Sequence, residues 1–178
     1  SNAAFIGVPE NRGKSEVAPL LRKTFTAKED AERYLLHVNS LGYHEAYVNG
    51  TAVSDAVLSP AVSQFGVRTR IVTYDVTSMV HSGENDIIIW TGKGWYQTHN
   101  KAVVPGGPYV RAQLDCITSE GVTAVTATDG SWKYAESERR TYGPWRPHEM
   151  GGEIVDARKV LPDFKSETLD QLKWKSVK

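Results

Sequence analysis

The feature that most constrains this chain is its punctuation. Glycine and proline recur roughly every eight to fifteen residues, and the segments between them are short and rich in β-branched side chains. Helices of ordinary length do not fit between such breaks, so the spacing predicts an all-β sandwich or barrel. The internal period agrees. Over residues 33–39, Tyr34, Leu36 and Val38 fall on one side of a strand and Arg33, His37 and Asn39 on the other, with Leu35 as the exception. Val110, Ala112, Leu114 and Cys116 share a face in the same way, opposite Arg111, Gln113 and Asp115. Asn49-Gly50 separates two short strand-like runs, residues 45–48 and 51–53, and both residues tolerate the positive φ of a type I′ hairpin turn.

Further strands are expected at residues 70–74, 86–90, 122–128 and 132–135. Asp75 or Thr77 is placed to cap one helical turn that stops near Gly83. Residues 97–108, with Pro105-Gly106-Gly107-Pro108, read as one long loop and residues 137–152 as a second, while residues 162–178 form a tail of weak helical character. Ser1-Asn2-Ala3 reads as the scar of a cleaved expression tag, so the expectation is a single domain over residues 4–178, excised from a longer protein.

Composition then removes function classes. The 178 residues hold 21 Lys plus Arg against 21 Asp plus Glu, and this zero balance argues against nucleic acid and against a polybasic membrane anchor. The longest strongly apolar run, Ile87-Ile88-Ile89-Trp90, is far short of the roughly 20 residues a bilayer span needs, so no membrane partner is expected. A chain of this length hides about 70% of its unfolded surface and needs no staple to fold. The single Cys116 has no intrachain partner, and its place beside Leu114 on an inward strand face marks it as core.

Nucleotide-binding glycine patterns are missing, since Gly92-Lys93-Gly94 lacks the third glycine and the following helix, and the His-Glu-x-x-His and Cys-x-x-Cys zinc motifs do not occur. Glu149, Glu153 and Asp156 lie close in sequence, but their spacing does not separate a catalytic carboxylate pair from ordinary loop carboxylates. The aromatics are more informative. Trp90 and Trp132 sit within strand runs and are expected in the core. Trp95, Tyr96, Tyr142 and Trp145 fall in expected loops, where an indole can stack on the C–H face of a pyranose or plug the end of a sandwich. The five histidines are scattered, each with surface placement as the default, and only His99 and His148 lie in candidate site loops.

The run 33–50, with Tyr47-Val48-Asn49-Gly50 at its end, is followed by Val53, Asp55 and Leu58-Ser59-Pro60. Then come Thr73-Tyr74-Asp75-Val76-Thr77, Gly83-Glu84-Asn85, Gly92-Lys93-Gly94-Trp95-Tyr96, Asp129-Gly130-Ser131-Trp132, Gly152-Glu153, Asp156-Ala157-Arg158 and Trp174-Lys175-Ser176-Val177. This ordered set resembles the N-terminal accessory domain of bacterial alpha-L-rhamnosidases, from about Leu21 to Val177. The chain departs from the usual family pattern at Val62-Ser63-Gln64-Phe65, where Trp-Thr-x-Tyr is more common, and at Ile154-Val155, where a Tyr often precedes Asp-Ala-Arg.

The resemblance implies a jelly-roll β-sandwich like those of galactose-binding-type domains, attached to a catalytic α/α barrel that carries the general acid and base. It implies no catalysis by this chain and no catalytic residue in it. Related modules bind terminal L-rhamnose, in some cases through a calcium ion, so a rhamnose-containing glycan and the catalytic domain of the same polypeptide are the expected partners and calcium is the candidate cofactor, with no ligand residues assigned. The candidate sugar-binding residues are Trp95, Tyr96, His99, Trp145, Arg146 and Glu153. The alternative is a purely structural domain that packs on the barrel. A bacterial source, with a periplasmic or secreted parent, is the accompanying expectation.

Overall fold

The computed structural model describes residues 2–9, 17–96, 106–143 and 151–178, with Trp95 described by its backbone alone. Among them, eleven strands run in chain order: β1 (Val17–Thr26), β2 (Arg33–Leu41), β3 (Tyr43–Val48), β4 (Thr51–Ala52), β5 (Val72–Asp75), β6 (Glu84–Gly92), β7 (Tyr109–Thr118), β8 (Gly121–Ala127), β9 (Lys133–Tyr142), β10 (Gly152–Val155) and β11 (Lys175–Ser176). A seven-stranded sheet has the order β10-β9-β1-β6-β3-β4, with β11 also on β9, and a four-stranded sheet has the order β5-β2-β7-β8. Every pairing is antiparallel, which gives the expected β-sandwich.

The alternation read from the sequence builds the inner layer. Tyr34, Leu36 and Val38 of β2 and Val110, Ala112, Leu114 and Cys116 of β7 are buried against Leu21, Ala46, Val48, Ile87, Ile89 and Trp132 from the other side. Each fully buried Leu or Ile contributes about 1.5–3 kcal/mol relative to exposure. Asn49 and Gly50 take φ of 50° and 80°, as the type I′ turn between β3 and β4 requires. Asp75 Oδ1 accepts from the Thr77 amide and hydroxyl, starting a one-turn 3-10 helix, Thr77–Met79.

Several expectations are corrected. β1 lies outside the expected strands, because Pro19 and the Arg22-Lys23 pair obscure its period. The chain accommodates Pro19 by a register shift between Val17 and Pro19. Residues 137–142 are not loop but the second half of β9, whose buried positions include the polar Ser137 and Glu138. β5 begins at Val72 rather than residue 70.

Trp132 is core, whereas Trp90 faces away from it. The isoleucine run serves two layers, since Ile87 and Ile89 enter the sandwich while Ile88 and Trp90 join Leu20 and Tyr47 on the outer side of the larger sheet. The C-terminal segment covers that side with Leu161, Phe164, Leu169, Leu172 and Trp174, using the one-turn helix α1 (Ser166–Leu169) to bring Leu169 to full burial.

Candidate functional site

Strand register gathers one set of strand ends. Gly92 at the end of β6 opposes Tyr43 at the start of β3, Val17 of β1 opposes Arg140 of β9, and Tyr142 at the end of β9 opposes Gly152 of β10. From this end the chain leaves β6 into the 3-10 turn Gly94–Tyr96 and leaves β9 at Gly143. Tight packing sets the first exit. Gly42 has φ +131°, and a Cβ there would stand 2.2 Å from the Gly92 carbonyl oxygen, so only glycine lets β2 turn into β3 beneath it.

Of the six candidate residues, Trp95 lies in that turn, immediately after β6. Tyr96, expected to be available in a loop, is 2% exposed, with its ring edge-on to Phe65 at 5.4 Å and 86°. It supports the turn from below rather than presenting a face. Glu153 is exposed on β10 and accepts from Arg139 Nη1 at 3.0 Å, and the Arg139 guanidinium lies 5.0 Å over the Trp90 ring. His99, Trp145 and Arg146 lie outside the described residues, as does His148. The structure thus brings the strand ends that bear Trp95 and Glu153 to one end of the larger sheet.

His44 corrects the surface default for the histidines. It is 3% exposed, with Nδ1 2.7 Å from Ser40 Oγ and Nε2 2.9 Å from the Tyr74 hydroxyl, and burial lowers its pKa to about 4. The group is therefore a neutral pin between β3 of one sheet and β2 and β5 of the other.

A second polar assembly was missed. On the outward side of the four-stranded sheet, register places His37 opposite Gln113 and Asn39 opposite Arg111. His37 Nδ1 is 2.8 Å from Thr73 Oγ1 and its Nε2 is 3.3 Å from Asp115 Oδ2. Gln113 Nε2 donates to Asp115 Oδ1 at 2.6 Å, and Asn39 Nδ2 donates to Thr69 Oγ1 at 2.8 Å. His37, Asn39, Arg111 and Gln113, together with Ala3, Ile71 and Ala112, line a cleft of about 190 Å3. The available signal was the polar half of the alternation in β2 and β7, which sequence reading assigns to solvent.

The aspartates with displaced pKa values all move down. Asp75, Asp129, Asp156 and Asp163 are held ionised first by the side chains of Thr77, Ser131, Arg158 and Thr168 respectively, with Asp75 and Asp156 brought to about 2. A glycosidase acid needs the opposite displacement. Among the described residues, no three His, Cys, Asp or Glu side chains come together as a metal cage.

A family model described as the alpha-L-rhamnosidase N-terminal domain matches residues 29–178. The chain belongs to this family. An alpha-L-rhamnosidase of Formosa agariphila is 29% identical over 163 residues, a match that covers 88% of this chain and 17% of that protein. The chain therefore spans about a sixth of the length of the curated relatives it matches. The native alpha-L-rhamnosidase of Aspergillus terreus superposes with a TM-score of 0.80 at 22% identity, covering 99% of this chain and 21% of that one, a likeness of fold. The Streptomyces avermitilis alpha-L-rhamnosidase complexed with L-rhamnose gives 0.70 at 25% identity, over 92% and 16% of the two chains. This rhamnosidase N-terminal domain is thus a β-sandwich from a glycoside hydrolase family.

Proposed function

We propose that the domain is a non-catalytic carbohydrate-binding or substrate-positioning module of an alpha-L-rhamnosidase polypeptide, with its sugar site at the loop-bearing end of the sandwich. The observation that supports this reading is the convergence of the β6, β9 and β10 ends at one end of the larger sheet, where the backbone carries Trp95 and Glu153. Trp95 stacks on the sugar, Glu153, His99 and Arg146 supply hydroxyl partners, Trp145 adds a second platform, and the buried Tyr96 holds the turn. The rhamnose complex of the Streptomyces avermitilis relative supports a terminal L-rhamnose as the ligand. Affinity is low, because an open aromatic platform buries little and hydroxyl desolvation offsets much of the gain.

Titrating the chain with methyl α-L-rhamnopyranoside should give saturable amide shifts around residues 92–96, and Trp95→Ala should abolish them. Unchanged shifts in the variant would sink the assignment. Repeating the titration with EDTA reads any calcium bridge, and incubation with a chromogenic rhamnoside should show no turnover.

A second reading draws on one observation. Val57, Leu58, Val62 and Val67 stand exposed along the connection between β4 and β5, an apolar stretch suited to packing on the catalytic domain. Protection of residues 57–67 from hydrogen exchange in the full-length enzyme, with no sugar response in the chain, would favour that structural role.

A further inference from the structure

We infer that Asn49 is a site of spontaneous covalent modification, closure of its side-chain amide onto the Gly50 backbone nitrogen with loss of ammonia, and that the native fold holds this reaction off until the turn between β3 and β4 opens. The inference is independent of the carbohydrate reading and uses none of its residues.

The chemistry is local. Gly50 has no side chain to crowd its backbone, so its nitrogen reaches the side-chain carbon of the preceding asparagine more readily than that of any other residue type would. The Gly50 nitrogen gives up its proton to solvent base and bonds to Asn49 Cγ, the Cγ–Nδ2 bond breaks, and Nδ2 leaves as ammonia. The five-membered succinimide so formed takes up one water at either carbonyl. Aspartate or isoaspartate then stands at position 49, the second with an extra methylene in the backbone. Water enters and ammonia leaves, so no other reactant is needed.

The fold blocks the first bond by holding the amide elsewhere. Asn49 Nδ2 donates to the Met79 carbonyl at 2.8 Å and to Asn85 Oδ1 at 2.7 Å, while Asn49 Oδ1 accepts from the Asp86 amide at 2.9 Å. A backbone carbonyl on one end and a backbone N–H on the other fix which end is nitrogen. The Asn49 amide also donates to the Asp86 carbonyl at 3.0 Å, which holds the turn against β6. To present Cγ to Gly50 the side chain must give up its three bonds. The C-terminal segment lies over the turn as well, since a Cβ at Gly50 would stand 3.0 Å from Lys165 Cγ.

The same partners reject the product. Asn85 is 2% exposed, its Oδ1 accepts from the His81 amide at 3.0 Å, and its Nδ2 donates to the His81 and Gly83 carbonyls at 2.8 and 3.0 Å. It cannot reverse to donate to position 49 without turning its oxygen on two carbonyls. A carboxylate at position 49 therefore faces the Met79 carbonyl and Asn85 Oδ1 with no proton between them, an uncompensated contact of acceptors. An isoaspartate lengthens a two-residue turn that pairs Val48 with Thr51 and so breaks its register. A turn that has opened and reacted cannot close as before, which makes the modification a one-way record of opening.

The test is to age the chain at mildly alkaline pH, folded and unfolded in guanidinium chloride. The peptide containing Asn49 is followed by mass spectrometry for the exchange of an amide for an acid, and isoaspartate by methyltransferase labelling. The folded chain should react at least tenfold more slowly than the unfolded one, because reaction waits on local opening. Asn85→Ala removes one acceptor and should raise the folded rate at least threefold. Should that variant unfold, the parent chain decides: below the unfolding transition its rate should rise with denaturant in step with hydrogen exchange of the Asp86 amide. Asn49→Asp, the product made directly, should unfold at lower denaturant than the parent. Equal rates in the folded and unfolded chains would overturn the inference, as would an unfolded chain that does not react. A folded rate that ignores Asp86 exchange, or Asn49→Asp as stable as the parent, would overturn it too.

Discussion

The two outer faces of the sandwich are finished in opposite ways. Outside the larger sheet, Leu20, Tyr47, Ile88 and Trp90 are sealed by residues 161–174. Outside the smaller sheet, His37, Asn39, Arg111 and Gln113 remain polar around an open cleft. A strand covered on both sides must be apolar at consecutive positions, as Ile87, Ile88 and Ile89 are, whereas a strand covered on one side alternates. The difference predicts a division of tasks in which the sealed face carries the larger share of stability.

The largest test of that division lies where charge enters the sealed face. Arg22 Nε and Nη2 donate to the two oxygens of Asp86 at 2.7 and 2.9 Å, Arg22 Nη1 reaches Asp170 at 2.6 Å, and Ser166 Oγ donates to Asp86, so the pair ties β1 and β6 to the C-terminal segment. The Asp86 side chain is 5% exposed and that of Arg22 13%. Asp86→Ala leaves a largely buried guanidinium without its main partner and should cost about 3–5 kcal/mol in urea unfolding. Released from β1 and β6, residues 161–174 should also lose hydrogen-exchange protection first. A cost below about 1 kcal/mol would mean that the apolar contacts alone hold the segment, and the sealed face would need no polar latch.

This contrast also explains what was legible beforehand. β2, β6, β7 and the Asn49-Gly50 turn could be read because one face, or both, is apolar and the turn chemistry is local. β9 could not, since its buried positions hold Ser137 and Glu138 and its place is set by its neighbours β1 and β10. Pro19 hid β1 for the same reason, a tertiary ladder overriding a local signal. Trp95 was legible as a residue just past a strand end. Tyr96 beside it was not legible as buried, because Phe65 reaches it from 31 positions away in sequence. The cleft was invisible, since His37, Asn39, Arg111 and Gln113 come together only once β2 and β7 are in register.

Between the faces, His44 supplies a pH-dependent test of intermediate size. Its pKa falls from 6.5 in the unfolded chain to about 4 when folded. The unfolded state therefore binds the extra proton over that window, and stability rises with pH from 4 to 6.5 and is complete above it. Acidification from pH 6.5 to 4 should remove about 3 kcal/mol through this group. Asp75 and Asp156, held at about 2, lose their contribution only as pH falls from 3.8 toward 2, so the two windows barely overlap. His44→Gln should flatten the slope between pH 6.5 and 4. An unchanged slope would show that the polar seam between the sheets is not what acid breaks.

The smallest expected effect bears most directly on the open face. Gln113→Ala removes a charge-assisted hydrogen bond to Asp115, but it also removes a buried oxygen that nothing in the chain satisfies. These terms oppose each other, so the change in unfolding free energy should stay within about 0.5 kcal/mol, the range of substitutions that touch no packed feature. If Gln113→Ala instead cost as much as Asp86→Ala, the open face would share the load of folding, and the polar side of β2 and β7 would be as structural as the sealed one.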